Sequence, residues 1–210
     1  MIPPATGRGS GFDYAALGVD LAISEKSSAD YTAMVGTLVF DHEKKQKIYI
    51  MPNPINVRMD FPTTVETVKT AIGSLNGGKD ATVYIESVGY QDALIQWLKH
   101  EDVDVEGVKI GSTDKRTRLA LTTHLIRNGN ILFPRTGCEQ LIEQMVGLGI
   151  EKHDDLADAF SILIKQIMKE NKQRPRVFFL SASDLFGGLD SDRGLARDLS
   201  NDPYGWPRRW

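Results

Sequence analysis

Five carboxylates in this chain stand where carboxylates are costly. Asp20 interrupts the apolar run Leu17-Gly-Val-Asp-Leu-Ala-Ile23, and Glu86 sits inside Thr82-Val-Tyr-Ile-Glu-Ser-Val88. Asp154, Asp155 and Asp158 crowd the segment His153-Asp-Asp-Leu-Ala-Asp158. An apolar run bounded by Gly and Ser reads as a central strand. An acid within it is either a strand-end acceptor of loop hydrogen bonds or a cation ligand, and for Asp20 alone the two readings balance. Two carboxylates about 4 Å apart repel by ~4 kcal/mol at an effective dielectric near 20. If the three positions converge, either a carboxyl keeps its proton or a divalent cation binds. Hard oxygen ligands favour magnesium or manganese. Several carboxylates can hold two ions roughly 3.5 to 4 Å apart, which activate a water on one side of a phosphodiester and stabilise the leaving oxygen on the other.

Convergence depends on the elements that carry these residues. Leu17 to Ile23 is followed by a polar turn and then by Asp30 to Phe40, whose β-branched residues argue a second, antiparallel strand. Lys47 to Met51 makes a third strand, and Pro52 and Pro54 are expected to end the pairing. A helix follows, announced by Pro62 and the capping-box pattern Thr63-x-x-Glu66, with Val65, Val68 and Ile72 on one face. It stops at Asn76-Gly-Gly78. Ala81 to Val88 is apolar on both sides, as suits a strand covered on both faces. Gln91 to His100 is a short helix with Leu94, Trp97 and Leu98 at helical spacing. Val105 to Ile110 is a strand, Lys115 to Asn128 a helix and Ile131 to Phe133 a brief strand.

The last long helix runs from about His153 to Asn171, with Leu156, Phe160, Leu163, Ile164 and Ile167 in one stripe. At ~100° per residue, Asp154 and Asp155 fall about 40° and 60° from Asp158, so the three acids share one side. The sum is an α/β domain, with an antiparallel meander followed by parallel strands in one mixed sheet and helices on both faces. An acidic first helical turn also complements the helix dipole. The metal reading of that cluster draws its strength from Asp20 and Glu86.

Composition narrows the function classes. With 41% hydrophobic and 25% charged residues over 210 positions, the chain suits one globular domain plus a tail. Its longest apolar stretch, Ala159 to Ile164, falls far short of the roughly 18 residues of a membrane span. The single cysteine, Cys138, excludes an internal disulfide or a zinc site on paired cysteines and fits a reducing cytoplasm. The expected organisation is a flexible leader over 1–14, one domain over 15–172 and an extension over 173–210. In that extension Trp206 and Trp210 suggest a docking tail or an unstructured end.

Gly73-Ser-Leu-Asn-Gly-Gly-Lys-Asp80 imitates a phosphate-binding loop, but Asp80 takes the place of the magnesium-binding hydroxyl. These residues also follow a helix rather than opening one, as phosphate binding by helix amides requires. No NTPase is read here.

Nucleic-acid binding rests on local charge, because the whole chain carries a formal net charge of -3. Between Lys109 and Arg135, six basic residues against the single acid Asp114 give a local net charge of +5. Such a segment is either a solvated helix face or a phosphate-binding surface. Beside a metal site, Lys115, Arg116, Arg118 and Arg127 are the candidates for phosphate contacts. No base-reading element is visible, which agrees with weak sequence preference.

These residues carry a family resemblance. The order of strand with Asp, hairpin, strand with Glu and late acidic helix resembles the ribonuclease H-like superfamily. More narrowly, six segments are similar in order and spacing to the nuclease domain of tailed-phage terminase large subunits. They are Gly18-Val-Asp-Leu-Ala22 with Asp30-Tyr-Thr-Ala33, Tyr84-Ile-Glu-Ser87, Asp114-Lys-Arg-Thr-Arg118, Gly129-Asn-Ile-Leu-Phe-Pro134 and His153-Asp-Asp-Leu-Ala-Asp-Ala159. The resemblance covers about residues 15 to 170.

The resemblance implies a catalytic triad of Asp20, Glu86 and Asp155. Asp20 would bridge two magnesium or manganese ions, Glu86 would hold one, and Asp154 and Asp158 would be auxiliary ligands. His153 would orient a water or carboxylate, or simply open the helix. Asp30 would approach from the hairpin, or serve as a turn acid. The implied activity is hydrolysis of duplex DNA with little sequence preference, cutting concatemeric viral DNA during packaging in the host cytoplasm. The implied partners are double-stranded DNA, an ATPase motor, a small terminase subunit and the capsid portal. The family's full protein carries that motor before the nuclease. The expectation here is the nuclease portion or a stand-alone relative. A resolvase- or transposase-like nuclease shares the fold and acids, and a non-catalytic binding module is the alternative of another class.

Overall fold

The computed structural model describes residues 12–21, 31–42, 45–75, 81–87, 89, 91–109, 115–147 and 154–173. The strands are β1 (Phe12–Asp20), β2 (Thr32–His42), β3 (Lys45–Ile50), β4 (Ile55–Val57), β5 (Ala81–Glu86), β6 (Val105–Val108) and β7 (Ile131–Leu132). The helices are α1 (Phe61–Ser74), α2 (Gln91–His100), α3 (Lys115–Arg127), α4 (Glu139–Val146) and α5 (Asp155–Gln173). The strands form one sheet in the order β6-β5-β1-β2-β3-β7, with β4 pairing on β2. The first three strands are the antiparallel meander, whereas β5 and β6 are parallel to β1 and β7 is parallel to β3.

β1 occupies the middle of the sheet, and its alternation divides the core. Tyr14 and Ala16 face α5, in a core with Val35, Val39 and Tyr84 of the sheet and Phe160 and Leu163 of the helix. Ala15, Leu17 and Val19 face the other way, into a second core with Val65 and Val68 of α1 and Leu94 and Leu98 of α2. Burial on both sides explains why β1 and β5 are continuously apolar rather than alternating.

Several local features depart from the sequence reading. β1 starts at Phe12, inside the expected leader, because the Phe12 ring meets Phe40 edge-on at 5.6 Å. The prolines do not end pairing on β2. Ile55–Val57 returns as β4 opposite Thr32, Ala33 and Met34. Helix α1 is capped by Asp60, whose carboxylate accepts from the Thr63 amide at 2.9 Å, while Glu66 pairs with Lys69 instead of closing a capping box. In α2 the buried positions are Gln91, Leu94, Ile95 and Leu98. Trp97 is 54% exposed and meets Phe61 edge-on. Helix α4 escaped the sequence reading altogether, being too short to show more than two turns of periodicity. The Asn76-Gly-Gly78 stop and the segment after Gln173 lie outside the described residues.

Candidate metal and nucleic-acid site

Register brings the first two carboxylates level. In the parallel pair β1 and β5, Gly18 lies opposite Tyr84 and Val19 opposite Ile85, so Asp20 and Glu86 are the next residues along adjacent strands. Both share the alternation of Ala16 and Tyr84, so both stand on the α5 face. They occupy the carboxyl ends of these strands, where open α/β sheets place their ligands.

The strand ends are fixed by neighbouring groups. The Gln91 amide, buried at the start of α2, donates through Nε2 to the Leu21 carbonyl at 3.3 Å. Beside Glu86, the Ser87 amide donates to the Val108 carbonyl at 3.0 Å, and Ser87 Oγ donates to Asp92 Oδ1 at 2.8 Å.

Helix α5 brings the remaining acids to the same face. It packs on β1 without a spacer, since a Cβ built on Gly18 would fall 2.5 Å from the Ala159 carbonyl oxygen and 2.7 Å from Leu163 Cβ. From there it crosses toward the β6 edge, where Gln166 Nε2 donates to Glu106 Oε2 at 3.1 Å and the Tyr84 hydroxyl donates to the Glu170 carboxylate. Burial and that carboxylate push the Tyr84 hydroxyl far above its ordinary range, so it remains a donor. At the other end, the Leu156 amide donates to Gln144 Oε1 of α4 at 2.8 Å.

Asp155 lies one turn before Ala159, on the stripe that meets Gly18, and its Oδ2 is shielded from solvent. Asp158 is 8% exposed, and its amide donates to the Asp154 carbonyl at 3.0 Å in the opening turn. Among the described residues, no group of three or more His, Cys, Asp or Glu side chains is drawn close enough to form a metal-holding cluster. Asp20 and Glu86 are therefore brought level by register, and Asp155 is brought to their face by the α5 crossing. Their donor chemistry, carboxylate oxygen throughout, suits a hard divalent cation.

His153 and Asp30 lie outside the described residues. Lys115, Arg116 and Arg118 form the first turn of α3, which the chain reaches from Val108, the residue paired with Glu86. Arg127 closes that helix and is exposed.

Two residues of this edge were not singled out from the sequence. Asn56 pairs with Ala33, which pairs with Asp20, so all three are level across the sheet. One pleat further on, the Arg58 guanidinium lies 4.8 Å from the centroid of the Tyr31 ring. The signal for both was β4, hidden by its flanking prolines.

The model of the Terminase RNaseH-like domain family matches residues 17–166 of the chain. No curated protein sequence matches it. Among solved structures, the large terminase nuclease domain of bacteriophage SPP1 with bound Mn is similar, at 17% identity and a TM-score of 0.54, over 75% of this chain and 88% of that one. The large terminase nuclease of thermophilic phage G20c with bound zinc is similar at 16% identity and a TM-score of 0.52, over 76% and 83%. At these identities the likeness carries the fold, a ribonuclease H-like mixed sheet. With the family match spanning most of its length, this chain belongs to the terminase RNase H-like domain family.

Proposed function

We propose that the chain is a divalent-metal-dependent endonuclease that hydrolyses duplex DNA with little sequence preference, cutting concatemeric viral DNA during packaging. The observation that carries this reading is the level pairing of Asp20 and Glu86 at the carboxyl ends of adjacent parallel strands, beneath a helix that opens on Asp155. Asp20, Glu86 and Asp155 would hold magnesium or manganese, with Asp154 and Asp158 assisting. When bound, such ions supply water activation and neutralisation of the charge that develops on the phosphodiester.

The protein's own contribution is placement. The Gln91 and Ser87 hydrogen bonds hold the two strand ends, and the close packing of α5 on Gly18 fixes its acidic turn relative to them. Lys115, Arg116, Arg118 and Arg127 of α3 would hold the DNA backbone, which carries no sequence information and agrees with indiscriminate cutting. His153 and Asp30 would assist. The bound Mn and zinc named for the SPP1 and G20c nucleases support a divalent-metal requirement here. In a packaging role the partners would be an ATPase motor, a small terminase subunit and the capsid portal, and the setting would be the host cytoplasm.

The test is incubation of the whole chain with supercoiled plasmid in manganese or magnesium, with and without chelator. Nicking and linearisation that require the metal support the reading. A folded protein that leaves the plasmid intact in both metals contradicts it.

A further inference from the structure

We propose that Arg58, held over the Tyr31 ring, binds a DNA phosphate at the carboxylate edge of the sheet, an inference that rests on the nuclease reading above. Thr32 pairs with Val57, so Tyr31 and Arg58 face each other at the next position outward. Tyr31 shares the alternation of Ala33, and Arg58 that of Asn56, and Ala33 is the register partner of Asp20. The pair therefore stands on the face that carries Asp20 and Glu86, about 7 Å beyond them along the strands. It lies on the β2 side of Asp20, the side of the sheet on which α3 packs against β7. A duplex that passes over the carboxylates toward β2 would meet Arg58.

The chemistry of the pair suits a phosphate. Arg58 is exposed, and no carboxylate is its partner among the described residues. Stacking on Tyr31 orients the planar guanidinium while leaving its N–H fork available for bidentate recognition of phosphate oxygens. Holding the side chain over a ring also lowers the entropy lost when a ligand is bound. Lys69 makes the contrast. It lies on α1, which packs on the opposite face, and its ammonium is engaged by Glu66 at 3.4 Å and Glu101 at 3.0 Å.

The test is anisotropy of a fluorescein-labelled duplex oligonucleotide titrated with the whole chain, without divalent metal, over a salt series. Arg58→Ala is expected to weaken binding about five- to tenfold and to reduce the slope of log K against log salt by ~0.9, as when one phosphate fewer is neutralised. Arg58→Lys keeps the slope but not the full affinity, because an ammonium carries the charge without the fork. Tyr31→Phe keeps the stack and the affinity, and Lys69→Ala changes neither quantity. Wild-type affinity and slope in Arg58→Ala would overturn the proposal while leaving the nuclease reading intact. A wild-type chain that binds no duplex at low salt would overturn both.

Discussion

Gly18 of the central strand lies directly against Ala159 of the last helix, so closely that any Cβ at position 18 would sit 2.5 Å from the Ala159 carbonyl oxygen. Backbone stands in the way, and backbone cannot rotate aside as a flexible side chain could. The contact sets the height of α5 above the sheet, and with it the height of Asp155 above Asp20.

Gly18→Ala is therefore expected to do two things at once. Overpacking should cost about 1–3 kcal/mol of stability, read as a lower denaturant midpoint at unchanged slope. Lifting the helix should also lower the cleavage rate under conditions where the variant remains folded. A variant with wild-type midpoint and rate would show that α5 is not held by this contact.

Gln91 offers a second test of placement. Its Nε2 donates to the Leu21 carbonyl just beyond Asp20, and its side chain is buried. Gln91→Ala removes the donor and leaves that carbonyl in want of a partner, at a cost of ~1–3 kcal/mol. Cleavage should fall while duplex binding is kept, since the strand end loses definition but no cationic side chain is removed. Equal losses of binding and cleavage would point to a wider collapse.

Cys138 gives a pH-dependent prediction. Burial, with a smaller effect of the neighbouring Glu139 charge, pushes its thiol up from an ordinary 9.0 to about 11. The folded state thus keeps the thiol proton more tightly than the unfolded chain. The associated stability is complete below pH 9 and is lost as pH rises through about 11. Denaturation midpoints should fall more between these limits in the wild type than in Cys138→Ala. At pH 8 the folded protein should react slowly with thiol reagents, and rapid labelling would contradict the burial.

The basic turn of α3 is tested by charge. Reversal at Arg116 and Arg118 should weaken duplex binding and make its salt dependence shallower, the slope changing by ~0.9 for each phosphate that is no longer neutralised. An unchanged slope in a titration series would remove both from the interface.

The sheet was legible in the sequence where periodicity and burial agree. The apolar runs around Asp20 and Glu86 had to be central strands, and the stripe from Leu156 to Ile167 had to be a helix packed on them. The neighbour relation of the two acids was a condition of the sequence reading rather than a result of it, and their residue-by-residue level is set by pairing across the sheet rather than by either strand alone. β4 was hidden because Pro52 and Pro54 are sound breakers of a central strand but no obstacle to a short edge segment after them. The Thr63-x-x-Glu66 pattern misled because Asp60 was the better cap and Lys69 the better partner for Glu66. Trp97 has helical spacing but lies on the rim, where an aromatic can rest on Phe61 and remain half in water. Arg58 and Tyr31 were invisible as a pair, being brought together by a strand that the sequence did not announce.

The most direct test of the central claim, that Asp20 organises a metal-dependent hydrolytic site, is plasmid cleavage by Asp20→Asn beside the wild type in manganese and magnesium. Circular dichroism and thermal unfolding of both proteins report the fold. The substitution keeps size and removes only charge and metal-ligating strength. Loss of cleavage in a variant with wild-type spectrum and transition is the predicted result, with Glu86→Gln behaving alike. Cleavage by folded Asp20→Asn at the wild-type rate would contradict the account.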